Sequence, residues 1–219
     1  MNRNGFLPAG NGEAMLKAYS AHAPASDPAV GDLLKLVLSR QNVSPRRLEA
    51  PGPNVSQIEQ LFSAAAAAPD HGLLNPWRFI CVGQNQRPAL AKAFLLALLE
   101  RDPGATQEQL EAASDKASRS PFLVLAVSCL RPESTGISNF EQIISLGCAI
   151  QNVLLAAHAL GFGSGLTSGR AMSSLALRSL FDLAANEHAA CFVAIGSVFK
   201  HKPTRMRPCT GGFVSQLGE

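Results

Sequence analysis

The chain has 219 residues, 47% of them hydrophobic and 16% charged, which suits one globular domain with or without extensions. A net charge of +3 is too small to indicate nucleic-acid binding, and no run of eighteen apolar residues predicts a membrane span. Five widely spaced cysteines without a CxxC motif, four of them in apolar runs, predict buried free thiols in a reducing, cytoplasmic setting.

The amino-terminal part predicts a loose extension and then the start of a folded domain. Residues 1–26 are rich in Gly, Pro and Asn, a composition typical of a flexible extension. Asp27-Pro28 combines an N-cap residue with proline at the first helical position, so the predicted domain covers residues 27–219. The elements predicted next are a helix to Ser39, a loop over 43–53, a helix from about Asn54 to Ala68, a strand over 79–82 and a helix opened by Arg87-Pro88.

The carboxyl-terminal half predicts alternating helices and strands. One helix, from Phe140 to Leu160, is apolar on nearly every face, which indicates a central helix or one that packs on a partner. The other predicted elements are a polar helix from Thr106 to Arg119, a strand over 121–129, a short helix from Ser173 to Phe181, a strand over 189–198 and a basic tail. About six helices with three or four strands between them indicate a layered α/β or α+β domain.

The stretch from Ala64 to Phe79, AAAAAPDHGLLNPWRF, predicts a helix end, a polar loop and the start of a strand. Small side chains on the last helical turn leave room for a flat ligand, so this stretch is a candidate binding corner. Within it, His71 is compatible with a base, a ligand contact or a polar loop residue.

Signatures of several catalytic classes are missing from the sequence. It has no GxSxG, HExxH, Walker or CxxC motif, no metal-ligand cluster and no carboxylate pair at glycosidase spacing, so no catalytic side chain and no metal are assigned. The glycines of residues 161–165 resemble a dinucleotide fingerprint, but they follow a helix rather than a strand. They are predicted to end that helix, with or without an additional ligand contact.

Clustered arginines are a second candidate binding feature. The cations concerned are Arg40, Arg46, Arg47, Arg205 and Arg207. Planar guanidinium groups suit phosphate oxygens, and side chains two residues apart on an extended tail point to the same side. The residues alone allow two interpretations: the tail arginines meet Arg40 around a phosphate, or they form a solvated basic tail.

Four segments, in order, resemble the nitroreductase-like FMN-dependent oxidoreductase family. Residues 145–165, SLGCAIQNVLLAAHALGFGSG, resemble its glycine- and alanine-rich helix. Residues 68–79, APDHGLLNPWRF, resemble the Pro-Asp-His and Asn-Pro-Trp corner of its compact bacterial branch. Residues 38–44, LSRQNVS, are similar to its Arg-Arg-Ser opening, and residues 205–208, RMRP, to its C-terminal Lys/Arg-x-Arg.

The resemblance implies an α+β fold, a three-layer α/β/α sandwich with a central mixed sheet and the long helix at a dimer interface. It also implies a homodimer that binds FMN. Such an enzyme takes hydride from NAD(P)H at the flavin N5 and passes it to a nitroaromatic, a quinone or a related small-molecule acceptor in ping-pong turnover. No nucleic-acid or membrane partner is expected.

The resemblance assigns ten residues to the cofactor. The phosphate would be held by Arg40, Arg205 and Arg207. The further contacts it implies are Gln41 and Asn42 at the phosphate and ribityl chain, His71 and Asn75 at the isoalloxazine ring or its neighbouring chain, and the backbone of Leu166, Thr167 and Ser168 at the N5 edge.

Three positions depart from the family pattern. Gln41 stands where the family has a second arginine, Asn42 where it has a serine, and Ala67 where the compact branch can carry an arginine. Both amides can still bond to phosphate or hydroxyl groups, but a positive charge is lost. Two alternatives therefore remain: a flavin-binding or flavin-carrying protein with little reductase turnover, and a basic-tailed interaction protein without a cofactor.

Overall fold

The structure, a computed structural model, describes residues 28–132, 136–203 and 206–217. The extension predicted for residues 1–26 lies outside the described residues. The chain divides into two compact units, one of residues 39–201 and one of residues 1–38 and 202–219. The helices are α1 (Pro28–Ser39), α2 (Val55–Ala66), α3 (Arg87–Arg101), α4 (Gln107–Ser114), α5 (Asn139–Ala159) and α6 (Leu175–Leu180). The strands are β1 (Leu48–Glu49), β2 (Trp77–Cys81), β3 (Phe122–Cys129), β4 (Gly163–Thr167) and β5 (Glu187–Val198).

The unit of residues 39–201 is built on a sheet in which the long strand β5 is central. Strand β5 pairs with β3 on one side and with β1 and β4 on the other, and β3 pairs with the edge strand β2. All of these pairings are antiparallel, and the parallel component among the described residues is one bridge between Asn42 and Ser164. Helices and an antiparallel sheet confirm the predicted α+β class.

Both faces of the sheet are covered, because β3 and β5 carry apolar side chains on both of their faces. Leu125 on β3 and Phe192 on β5 belong to the cluster that α3 and α6 cover. Val124 and Val193, one position along each strand, belong to the cluster that α2 and α5 cover. This alternation follows from the two-residue period of a strand, and it explains why both strands are nearly continuous apolar runs.

Helix α5 has well-defined ends. Ser138 and Glu141 form a reciprocal capping box at its start. At its end, Gly161 adopts a φ of 85°, and Phe162 N donates to Ala157 O at 2.9 Å, the pattern of a Schellman motif. The prediction that these glycines end the helix is therefore right at Gly161.

Helix α5 alone among the described helices is long and apolar enough to cross a membrane by length and composition. Six of its apolar residues, however, are buried in the core cluster that it shares with the sheet and α2. Asn152 on α5 also donates to the carbonyl of Ala64 at 3.0 Å and so satisfies a group at the end of α2.

The structure differs from the sequence prediction at several elements. Residues 163–167 form β4 and residues 48–49 form β1, whereas the sequence placed glycine turns and a loop there. Glycines in β4 and the two-residue length of β1 left neither segment with a strand pattern. The polar helix ends at Ser114 and continues as a 3₁₀ turn, and Ser174 rather than Ser173 caps the short helix.

The cysteines are free, as predicted, but only two are buried. Cys129 and Cys191 lie on β3 and β5, Cys148 is half-buried, and Cys81 and Cys209 are exposed. Cys81 was predicted to be buried because it lies in an apolar run of the sequence. It ends β2, and one side of that edge strand has no neighbouring strand among the described residues.

Candidate functional site

The corner between α2 and β2 is held in an unusual backbone conformation. Gly72, Leu73 and Asn75 all have positive φ, at 72°, 52° and 45°. The carboxylate of Asp70 accepts hydrogen bonds from Leu74 N at 3.2 Å and Asn75 N at 2.7 Å, which stabilises this turn. Non-glycine residues at positive φ are costly and concentrate at ligand-binding sites.

The same corner is attached to the start of α5. His71 Nδ1 lies 3.2 Å from Glu141 Oε1, and this pair is largely exposed. Hydrogen bonds from Ser138 and then from His71 lower the pKa of Glu141, so its carboxylate stays ionised and orients the imidazole. His71 is therefore a positioned loop residue whose side chain remains open to solvent.

A second group of predicted residues lies along β4. The segment after α1 runs beside this strand: Val43 N donates to Ser164 O at 2.8 Å, and Asn42 Oδ1 accepts from Leu166 N at 3.1 Å. Asn42 and Leu166 are both exposed at this junction. Two segments separated by more than 120 residues in sequence are thus joined by backbone and side-chain hydrogen bonds.

Glycine makes this approach possible. A β-carbon at Gly165 would overlap the carbonyl oxygen of Val43, and one at Gly163 would overlap side-chain atoms of Val198. The glycines that the sequence analysis assigned only to the end of α5 therefore also admit the segment of residues 40–43 to the edge of β4.

The structure thus brings Arg40, Gln41 and Asn42 to the strand that ends in Leu166 and Thr167, with Ser168 following it. The N–H of Leu166 is already used by Asn42, and Thr167 pairs with Phe192 of β5, which leaves Ser168 to supply any backbone donor to a ligand. His71 and Asn75 lie elsewhere, at the α2–β2 corner.

The C-terminal Arg207 is not part of this unit. Arg207 lies in the unit of residues 1–38 and 202–219, where its Nη2 donates to the carbonyl of Leu38 at 3.3 Å. Arg205 lies outside the described residues. The expected role of both in holding a phosphate stays a prediction.

A cavity of about 520 Å³ opens beside the end of β4. Its walls include Thr167 and Ser168, residues of α3 and α4, and five cations from four separate parts of the sequence: Arg46, Arg101, Lys116 with Arg119, and Arg170. Of these, the sequence analysis had singled out Arg46 alone. Cations that lie on four different segments give no local signal, and only the fold brings them together.

The family model described as "Nitroreductase family" matches residues 40–197. The chain belongs to the nitroreductase family. Its predicted membership is confirmed, and with it the prediction of an oxidoreductase enzyme of this family. The matched span includes both the α2–β2 corner and the junction of residues 40–43 with β4.

Curated members of the nitroreductase family are similar over most of their length. A Haemophilus influenzae protein named "Putative NAD(P)H nitroreductase" is 35% identical over 166 residues, 76% of this chain and 88% of that protein. The Escherichia coli K12 protein "Putative NAD(P)H nitroreductase YdjA" is 30% identical over 169 residues, with the same two coverages.

Solved structures of nitroreductase-like proteins share the fold. A nitroreductase-like family protein from Bacillus cereus has a TM-score of 0.74 at 17% identity. The superposition covers 90% of this chain and 100% of the Bacillus cereus chain. A Clostridium difficile protein named "FMN-dependent Nitroreductase" has a TM-score of 0.61 at 16% identity. The superposition covers 85% of this chain and 99% of the Clostridium difficile chain.

Proposed function

We propose that this nitroreductase-family enzyme binds FMN and transfers hydride from NAD(P)H to an electron-poor acceptor, such as a nitroaromatic or a quinone. The observation that carries the proposal is the junction of Asn42 with Leu166, which joins two of the family-like segments at one edge of the sheet. The names of the curated relatives support NAD(P)H as co-substrate, and the name of the Clostridium difficile neighbour supports FMN.

The chemistry of the residues at this junction fits FMN. Arg40 supplies a guanidinium group for the phosphate, and the side-chain amides of Gln41 and Asn42 suit phosphate and ribityl oxygens. The glycine at position 165 keeps the backbone of residues 40–43 close to β4, so a ligand along this segment also lies close to Thr167. The phosphate of FMN and the opposite end of the molecule therefore both have suitable partners on these two neighbouring segments.

When bound, FMN supplies the redox chemistry by accepting a hydride at N5 and passing it to the acceptor. The chain binds and orients the reacting molecules, and the backbone N–H of Ser168 would stabilise negative charge that develops beside it. Since no side chain has to act as an obligatory acid or base, the lack of a recognised catalytic motif agrees with this chemistry. A single slot that NAD(P)H and the acceptor occupy in turn gives ping-pong turnover.

The active form is proposed to be a homodimer with a site between the two protomers. Phe140, Ile143 and Ile144 on α5 are 72%, 49% and 51% exposed, although this helix is among the most apolar of the chain. An exposed apolar helix face of this kind fits burial against a second copy. The α2–β2 corner, which contacts the start of α5, would then reach the partner's site through His71 and Asn75.

Spectroscopy of the purified protein tests the proposal directly. The protein should carry a flavin absorption band that bleaches when NADH or NADPH is added without oxygen and returns when a nitroaromatic or menadione follows. A flavin band that does not bleach would favour the flavin-carrying alternative. A colourless protein that takes up no added FMN would overturn the proposal.

The phosphate assignment has its own test. Arg40→Ala combined with Arg207→Ala should release FMN, because two proposed cationic partners of the phosphate are lost. Lys92→Ala, which removes a cation of α3, is the matched control and should keep its flavin. Full flavin occupancy in the double variant would contradict the assignment of these two arginines.

A further inference from the structure

The cavity beside the end of β4 has an apolar floor. It is formed in part by Phe94, Leu123 and Phe192, which are 8%, 4% and 2% exposed and belong to the core cluster between α3 and the sheet. Leu98 and Met172 add further apolar surface. A floor of aromatic and aliphatic side chains suits a flat apolar ring, and about 520 Å³ is within the usual range for a small-molecule site.

The walls of the cavity are strongly basic. They carry five cations and one carboxylate, Asp102, whereas the whole chain has a net charge of only +3. The cations come from four separate segments: the 3₁₀ turn before β1, the end of α3, the 3₁₀ turn after α4 with the residue that follows it, and the turn after β4.

The structure gives these cations no ion-pair partner among the residues that it describes. Within the described part of the chain, no carboxylate lies within 4.0 Å of any of the five, and Arg119 instead donates to the carbonyl of Ala112 at 3.3 Å. Burial lowers the pKa of Lys116, and the positive charges of Arg119, Arg101 and Arg46 lower it further. Burial also lowers the pKa of Arg119, followed by the charge of Arg46, with Asp115 opposing them. The cations therefore repel one another across the cavity, and a bound anion would relieve that repulsion.

We infer that this cavity binds an aromatic anion, with its ring on the floor of Phe94 and Phe192 and its carboxylate or phosphate among Arg46, Lys116 and Arg119. This inference deepens the proposed function and rests on it, since Thr167 and Ser168 line the cavity and also belong to the proposed flavin contact. The cavity would make the enzyme selective for negatively charged co-substrates. Two sources carry this chemistry: an acidic aromatic acceptor, or the adenosine 2′-phosphate that distinguishes NADPH from NADH.

Calorimetric titration of the oxidised protein as purified tests the inference without turnover. The probes are 4-nitrobenzoate against neutral 4-nitrobenzamide, and adenosine 2′-phosphate against adenosine. At least one anion should bind about tenfold or more tightly than its neutral counterpart, and the preference should shrink at high ionic strength. The anion that shows the preference identifies the source. Equal affinities within both pairs would overturn the inference.

Variants locate the binding. The double variant Lys116→Gln with Arg119→Gln should abolish the preference for the anion. Arg46→Gln should lower this preference about tenfold. Because Arg46 is exposed, this single variant tests the site even if the double variant folds poorly. Lys92→Gln with Lys200→Gln removes two charges outside the cavity and should preserve the preference. A preference that survives in all of the cavity variants would overturn the inference.

Flavin content separates this inference from the proposed function. The cavity variants should retain FMN at the wild-type ratio, because the proposed phosphate contacts lie elsewhere. Loss of FMN with retention of riboflavin in these variants would overturn the inference, since the cations would then hold the cofactor phosphate itself. A protein that binds the anion but is not reduced by NADH or NADPH would disprove the reductase function and leave the anion site supported.

Discussion

Val43 and Gly165 approach each other so closely that a β-carbon on Gly165 would overlap the carbonyl oxygen of Val43. The contact joins the segment after α1 to β4, and the hydrogen bonds from Val43 N to Ser164 O and from Leu166 N to Asn42 Oδ1 lie on either side of it. Since the obstructing atom belongs to the backbone, it cannot move aside as a flexible side chain would. This contact sets where Arg40, Gln41 and Asn42 lie relative to the end of β4.

Gly165→Ala should therefore move the segment of residues 40–43 away from β4. We expect a loss of about 1–3 kcal/mol in the free energy of unfolding, as for overpacking elsewhere, and a dissociation constant for FMN raised at least about tenfold. Urea unfolding and titration with FMN measure the two effects. Gly31→Ala is the control, because Gly31 lies in helix α1 and a β-carbon on it would meet no atom within 4 Å. Unchanged FMN affinity in Gly165→Ala would disprove the positioning role.

Leu73, in the α2–β2 corner, should be a strained position that lowers the stability of the fold. This residue is 88% exposed at a φ of 52°, a conformation that costs a leucine about 1–2 kcal/mol and that asparagine tolerates better. Leu73→Asn should raise the free energy of unfolding by up to about 1 kcal/mol. Asp70→Ala should lower it by about 1–2 kcal/mol, because Leu74 N and Asn75 N lose their acceptor. Denaturant titration compares both variants with the wild type, and a less stable Leu73→Asn protein would contradict the strain argument.

Acid should weaken the fold through Glu187. Its carboxylate accepts two hydrogen bonds from Arg78, at 2.7 and 2.9 Å, and mainly this partner lowers its pKa from 4.5 to about 2. A carboxyl group whose pKa is lowered by folding contributes stability above its unfolded pKa and loses it as the pH falls through the folded value. The contribution, about 2 kcal/mol after allowance for the 42% exposure of Arg78, should therefore disappear between about pH 4.5 and pH 2.

Glu187→Gln isolates this effect from the titration of other carboxyl groups. The variant should be less stable than the wild type by about 1–2 kcal/mol at about pH 7, and the difference should shrink below about pH 4.5 and approach zero only near about pH 2. Urea unfolding of both proteins at about pH 7, 5 and 3 gives the comparison. A difference that stays constant over this range would show that the ion pair does not carry the acid dependence.

The proposed dimer depends on the exposed face of α5. Ile144→Glu should convert a dimer to a monomer, since it introduces a charge into an apolar surface, and FMN should be lost with the shared site. Light scattering after size-exclusion chromatography, combined with the flavin absorbance, measures both. Leu96→Glu is the control, because this residue is 42% exposed on α3, which covers the other face of the sheet. A dimeric, flavin-loaded Ile144→Glu protein would place the interface elsewhere.

Much of the fold was predictable from local signals. Proline at position 28 and the capping box begun by Thr106 marked helix starts, since each places a backbone or side-chain group where a helix needs it. The apolar run from 121 to 129 marked β3, because a strand buried on both faces carries apolar residues at every position. At β4 the strand was missed, because glycine has no side chain that records which face is buried.

The sequence by itself determined the family, the α+β class and the identity of the two segments now joined at β4, because residue type and spacing carry that information. Only the tertiary structure decided that Asn42 bonds to Leu166 and that cations from four separate segments line one cavity. The physical reason is that helix caps and strand patterns depend on neighbours along the chain. Close backbone approach and mutual charge repulsion depend instead on residues that folding alone brings together.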